Sequence, residues 1–116
     1  MITHKLVLQG NLNHYGFLFG GDLLRWIDEV GYIAANLEFP NHEFVTIGLN
    51  QVVFHKSITA GSILTFEATL VKKGVTSATF NIDVHCNSLP DILFTTEITF
   101  VSIDKDGNKT PIRETI

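Results

Sequence analysis

In the stretch Asp22-Leu23-Leu24-Arg25-Trp26-Ile27-Asp28-Glu29-Val30-Gly31-Tyr32-Ile33-Ala34-Ala35-Asn36-Leu37, apolar residues recur at Leu23, Ile27, Val30 and Ala34. A spacing of i, i+4, i+7 and i+11 lines them along one face of a helix, with Leu24, Gly31 and Ala35 beside them. Asp22, Arg25, Glu29 and Asn36 make the wet side. Asp22 also complements the positive end of the helix dipole, and Pro40 lies just past the stop. Such a helix is about 24 Å long at 1.5 Å per residue.

Working outward from it, everything C-terminal reads as strand. Phe44 to Phe54 is rich in β-branched and aromatic residues, and Ile63 to Lys73 follows a Gly61-Ser62 turn with Leu64, Phe66, Ala68 and Leu70 on one face. Ala78, Phe80, Ile82, Val84 and Cys86 then alternate with polar neighbours. After a Ser88-Leu89-Pro90-Asp91 turn, Phe94, Thr96, Ile98 and Phe100 do the same. On the N-terminal side, Ile2 to Gln9 is β-like, and residues 10–21 form a glycine- and asparagine-rich loop feeding the helix. One long amphipathic helix followed by antiparallel strands hides its apolar stripe only if the sheet curls around it. The expected class is therefore α+β, one long central helix wrapped by a curved sheet of about five strands. Such a sheet keeps open edges, so a dimer at least is expected.

Composition bounds what this fold can do. The chain has 116 residues, 45% hydrophobic and 17% charged, with nine Phe and a net charge of −4. That is enough apolar material for one core, and no linker or repeat divides the chain, so residues 1–116 read as a single domain. A net negative chain without a basic stripe argues against nucleic acid and against anionic membranes. A single cysteine, Cys86, excludes an internal disulfide and the spacing of a structural zinc site. No apolar run approaches the ~20 residues that span a bilayer, and the N-terminus lacks a leader pattern, so a cytoplasmic protein is expected.

The strongest local chemical feature is Gly20-Gly21 ahead of the helix, where unpaired N–H groups can polarise a carbonyl or hold an oxyanion. The alternative is a tight turn that binds nothing. Asp28 stands two turns on, at the margin of the apolar face beside Leu24, Tyr32 and Ala35. It is either a general base or nucleophile with a raised pKa, or a rim carboxylate in water or at a subunit contact. Glu29 belongs to solvent. Asn13 either orients water or a substrate carbonyl, or is an ordinary turn asparagine. Lys72-Lys73-Gly74-Val75-Thr76-Ser77 either holds a phosphate or pantetheine amide, or is a soluble hairpin tip. His4, His14, His42, His55 and His85 show no metal-ligand spacing, although His14 and His55 occupy loops. Neither phosphate-loop nor serine-hydrolase signatures occur. Cys86 reads as a small core residue.

Taken together, Asn13-His14-Tyr15-Gly16-Phe17-Leu18-Phe19-Gly20-Gly21-Asp22-Leu23-Leu24-Arg25-Trp26-Ile27-Asp28 resembles the Asn-x-x-Gly-x-x-Phe-Gly-Gly-x-Leu-Leu-x-Trp-x-Asp signature of hotdog-fold acyl-CoA thioesterases. The resemblance is to the branch of bacterial acyl-CoA thioester hydrolases and cytosolic acyl-CoA hydrolases. It continues through Val45-Thr46, Phe54, Gly61, Gly74-Val75-Thr76-Ser77 and Thr99-Phe100-Val101. It implies that Asp28 acts as general base or nucleophile on a thioester and that Asn13 positions water or the reacting group. The Gly20-Gly21 N–H groups would polarise the carbonyl, and the two side chains would come from different protomers. It also implies that Gly74, Thr76 and Ser77 line a coenzyme A groove and that Lys56 and Arg113 meet its phosphates.

No metal or cofactor is implied, coenzyme A being part of substrate and product. The partners implied are acyl-CoA and a second copy, as a homodimer or a dimer-based tetramer or hexamer. Relatives often carry a basic or polar residue at Val75, proline at Ser57, aspartate at Ser62 and aspartate at Asn11, the last bearing on loop geometry. Two other readings stand beside hydrolysis: a non-catalytic acyl-CoA-binding or regulatory protein, and a hydroxyacyl-thioester dehydratase, which needs a histidine with an acid in its site.

Overall fold

The computed structural model describes residues 1–52, 56–89 and 92–113. Strand β1 (Ile2–Leu6) is followed by a single 3-10 turn (Gln9–Asn11), helix α1 (Gly20–Glu38), and strands β2 (Glu43–Leu49), β3 (Ile63–Lys73), β4 (Ser77–Cys86) and β5 (Ile92–Ile103). The strands form one antiparallel sheet in the order β1-β3-β4-β5-β2, and α1 packs across it, as the helix-in-sheet expectation required.

Alternation dictates which sheet face meets the helix. Ala78, Phe80, Ile82, Val84 and Cys86 of β4 are all buried, as are Leu64, Phe66 and Ala68 of β3 and Phe94, Thr96, Ile98 and Phe100 of β5. Against them α1 buries Leu23, Trp26, Ile27, Val30, Gly31, Ala34 and Ala35. Each large side chain taken wholly from water in this way contributes about 1.5–3 kcal/mol. Phe100 is the hub, with the rings of Tyr32, Phe44 and Phe80 set edge-on to it at centroid separations of 6.5, 6.5 and 6.3 Å. Gly31 is where helix and sheet come closest. A Cβ there would lie 2.9 Å from Ile98 Cγ2 and 3.0 Å from Phe100 Cε2.

Three details depart from the sequence reading. The helix begins at Gly20 rather than Asp22, so the two glycines are its first residues and not the lead-in to it. Leu24 is 38% exposed while Trp26 is buried, its ring edge-on to Phe66, because the stripe that faces the sheet runs through positions 23, 26, 27 and 30. β2 ends at Leu49 instead of reaching Phe54. Val53, Phe54 and His55, the Pro90-Asp91 part of the turn, and residues 114–116 lie outside the described residues. β2 is also largely bare. Only Phe44 is buried, and a bulge between Thr46 and Gly48 shifts its register against β5. Among the described residues no helix is long and apolar enough to cross a membrane.

Candidate active site

The helix start is unusual because its N-cap is Phe19, which has no side-chain acceptor. The Phe19 carbonyl accepts from Asp22 N at 3.1 Å and Leu23 N at 3.3 Å. The N–H groups of Gly20 and Gly21, one residue further out, have no acceptor among the described residues. Glycine at 21 leaves room for the Phe19 ring, whose Cε2 would be 2.7 Å from a Cβ there.

Asn13 stands in the loop just before this start. Its Oδ1 accepts from Tyr15 N at 2.9 Å and Phe17 N at 3.2 Å, so the carbonyl half of the side chain shapes its own turn. Its amide nitrogen has no acceptor among the described residues and is the half left to donate outward. The loop is closed by Leu18 N donating to Ile58 O at 2.7 Å and Phe19 N to Asn11 O at 2.8 Å. Asn13, Phe17, Leu18, Gly20, Lys56, Ser57 and Ile58 line a cavity of about 330 Å³.

Asp28 lies elsewhere. It is exposed, and Thr46 on β2 donates its hydroxyl to Asp28 Oδ1 at 2.6 Å. Arg25, Asp28, Glu29, Tyr32, Phe44 and Thr46 line a second depression of about 280 Å³, which shares no lining residue with the first. Eight residues of helix, about 12 Å of rise, separate Gly20 from Asp28. One chain therefore holds these candidate groups in two separate depressions. Glu29 is exposed, as expected, and takes Lys5 as an ion-pair partner at 3.0 Å.

The other sequence-derived positions fall into two further places. Gly74 to Ser77 is the β3–β4 hairpin tip, closed by Gly74 N donating to Ser77 O at 2.8 Å. Its outer side is braced by Ile112 N to Val75 O and Ser102 N to Thr76 O, both 2.8 Å. Arg113 follows, its N–H donating to His42 Nε2 at 2.9 Å, beyond the C-terminal end of α1. Lys56 sits at the N-terminal end, beside Asn13. Within one chain Lys56 and Arg113 are thus at opposite ends of a 19-residue helix and do not share a cavity. Among the described residues no cluster of His, Cys, Asp or Glu is arranged to hold a metal ion.

Sequence reasoning missed Thr46 as the residue that touches Asp28, because nothing in an 18-residue separation tells that β2 runs past that point of α1. It also missed the Asn11 amide, which donates to Asp22 Oδ2 at 3.1 Å.

Known proteins resemble the chain in sequence and in fold. A family model described as the thioesterase superfamily matches residues 15–91. An uncharacterized acyl-CoA thioester hydrolase of Buchnera aphidicola subsp. Baizongia pistaciae is 30% identical over 111 residues, covering 91% of this chain and 82% of the relative. A hexameric hotdog fold thioesterase of Campylobacter jejuni, Cj0915, superposes with a TM-score of 0.82 at 29% identity, covering 96% of this chain and 88% of that one. An acyl-CoA hydrolase from Staphylococcus aureus, solved with butyryl coenzyme A, coenzyme A and coenzyme A disulfide, superposes at 0.83 with 26% identity, covering 100% of this chain and 70% of that one. The matched span runs from the loop around Tyr15 through α1, β2, β3 and β4, and on that ground the chain belongs to the thioesterase superfamily, as a thioester hydrolase of the hotdog fold.

Proposed function

We propose that the chain hydrolyses acyl-CoA to a free carboxylic acid and coenzyme A, at a site made from Asp28 of one protomer and Asn13, Gly20 and Gly21 of the partner subunit. The observation that carries the reading is the division of the candidate groups into two half-sites on one chain. One holds free N–H donors and an outward amide, the other a carboxylate with one oxygen engaged, and neither half suffices alone. The Asp28 half lies at β2, which pairs on one side only and exposes Val45, Ile47 and Leu49. A second copy docked along that edge covers apolar surface and arrives beside Asp28.

In this reading the Thr46 hydroxyl fixes Asp28 Oδ1 and leaves Oδ2 to act on the thioester carbon, by deprotonating water or by direct attack. As the new C–O bond forms, the carbonyl pair moves onto oxygen, where the Gly20 and Gly21 N–H groups receive it. The carbonyl then re-forms and the C–S bond breaks, the thiolate taking the proton that Asp28 drew from water to leave as coenzyme A; on the direct-attack route the thiolate takes its proton from solvent, and a water then hydrolyses the acyl–Asp28 anhydride to release the acid and restore the carboxylate. The Asn13 amide nitrogen positions the water or the acyl oxygen. Gly74, Thr76 and Ser77 at the hairpin tip, with Lys56 and Arg113, are the proposed coenzyme A contacts, the two cations coming from different protomers. The chemistry needs no cofactor beyond the coenzyme A that enters with the substrate.

The test is release of free thiol from short- to long-chain acyl-CoAs by the wild type and by Asp28→Asn. Turnover should fall by at least about a hundredfold in the variant while acyl-CoA binding survives. A folded, oligomeric wild type that turns over none of them would overturn the proposal and leave a binding role.

A further inference from the structure

We infer that Asn11 and Asp22 form a positioning latch that sets the first turn of α1 against the Asn13 loop; the inference rests on the hydrolase reading above. Asn11 is the last residue of the 3-10 turn and makes four hydrogen bonds. Its N–H donates to Leu8 O at 2.9 Å, and its carbonyl accepts from Phe19 N at 2.8 Å. Its Oδ1 accepts from Leu8 N at 2.9 Å, and its Nδ2 donates to Asp22 Oδ2 at 3.1 Å. One residue therefore ties together the end of β1, the returning loop and the helix.

The attachment points matter more than their number. Phe19 and Asp22 are the residues immediately before and after Gly20-Gly21, so both flanks of the two free N–H groups are held by the same asparagine. Glycine has the widest backbone freedom of any residue, and two in succession, uncapped by Phe19, need an outside constraint to keep their N–H vectors aimed at one point. Catalytic donors lose their effect when displaced by a fraction of an ångström, so a loosened first turn costs rate while leaving ground-state binding in place.

The chemistry of the pair also fixes which residue can stand where. An ionised Asp22 only accepts, so residue 11 has to donate to it and accept from Leu8 N at the same time, which an asparagine amide does and an aspartate does not. Aspartate at 11 would keep the Leu8 bond but set two carboxylates against each other.

The experiment is a double-mutant cycle of Asn11→Asp and Asp22→Asn, read as kcat and KM for thiol release and scaled to folded oligomer by thermal melting and sedimentation. Asn11→Asp should lower kcat about tenfold or more with KM within about twofold. The reciprocal pair, with the donor now at 22 and the acceptor at 11, should recover kcat to within about threefold of wild type. Should Asn11→Asp fail to fold, Asp22→Ala removes the latch acceptor but leaves both Leu8 bonds, and the same fall in kcat at constant KM is expected. An unchanged kcat in Asn11→Asp or in Asp22→Ala, or a double variant no better than Asn11→Asp, overturns the latch. A wild type without thiol release overturns the hydrolase reading instead, so the two failures are distinguishable.

Discussion

In the proposed reaction Asp28 is the residue on which the chemistry turns, and the Thr46 hydroxyl bonded to it orients its carboxylate. A hydroxyl at 2.6 Å from an exposed carboxylate is a charge-assisted bond, and it takes one of the two oxygens out of play. Thr46→Val keeps the branched shape that suits a strand while removing the donor. It should lower kcat about three- to thirty-fold with little change in KM, since such bonds contribute about 1.5–3 kcal/mol and this one is partly screened by water. Steady-state kinetics on one good acyl-CoA substrate checks it. Asn13 is seen in the first of the capacities that the sequence left open, and its geometry leaves room for the other. Its oxygen builds the turn, as in an ordinary loop asparagine, and its nitrogen remains for the proposed site.

At the scale of elements, α1 and its fit to the sheet depend on Gly31, where the nearest heavy atoms leave no space for a methyl group. Gly31→Ala gains helix propensity but overpacks a rigid contact with Ile98 and Phe100. The second effect wins, at about 1–3 kcal/mol against about 1 kcal/mol, so Tm should fall by several degrees in a thermal melt. The helix and strands β3 to β5 were readable because each has one wet and one dry face, which writes a period of 3.6 or 2 into the chain. The errors cluster where that rule lapses. Gly20 and Gly21 read as a lead-in because Phe19 is no conventional cap. Leu24 reads as lying beside the stripe because an isolated helix does not say which flank the sheet covers. β2 reads too long because a strand with a single buried residue and a bulge keeps no alternation to measure. The motif around Asn13 and Asp28 marked the candidate residues. It did not show that they open into separate cavities, because that is a property of the packed chain.

The whole molecule is the scale at which the two proposed half-sites would meet. If Asp28 and Asn13 act across a subunit boundary, protein inactivated at Asp28 and protein inactivated at Asn13 should complement one another. Asp28→Asn and Asn13→Ala chains, unfolded together and refolded as a mixture, would place both mutations in one of the two sites of each mixed dimer and leave the other intact. About a quarter of wild-type activity should return, against none for either parent alone, and thiol release by the mixture reads the outcome. Failure to complement, with mixed dimers demonstrated by a size-tagged chain, would put both groups within one protomer. The sheet order carries a different consequence, for the chain as it is made. Among the described residues β1 pairs only with β3, Leu6 against Ile63 and Ile2 against Glu67, and the dry face of α1 meets β5 at Ile98 and Phe100. On a ribosome adding about 5–20 residues per second, the first strand and the helix emerge seconds before the strands that cover them. An isolated helix of this length is barely stable in water. β1 consequently stays unpaired until β3 is released, and the dry face of α1 is not fully covered until β5 is, so the nascent chain carries bare apolar surface through that interval.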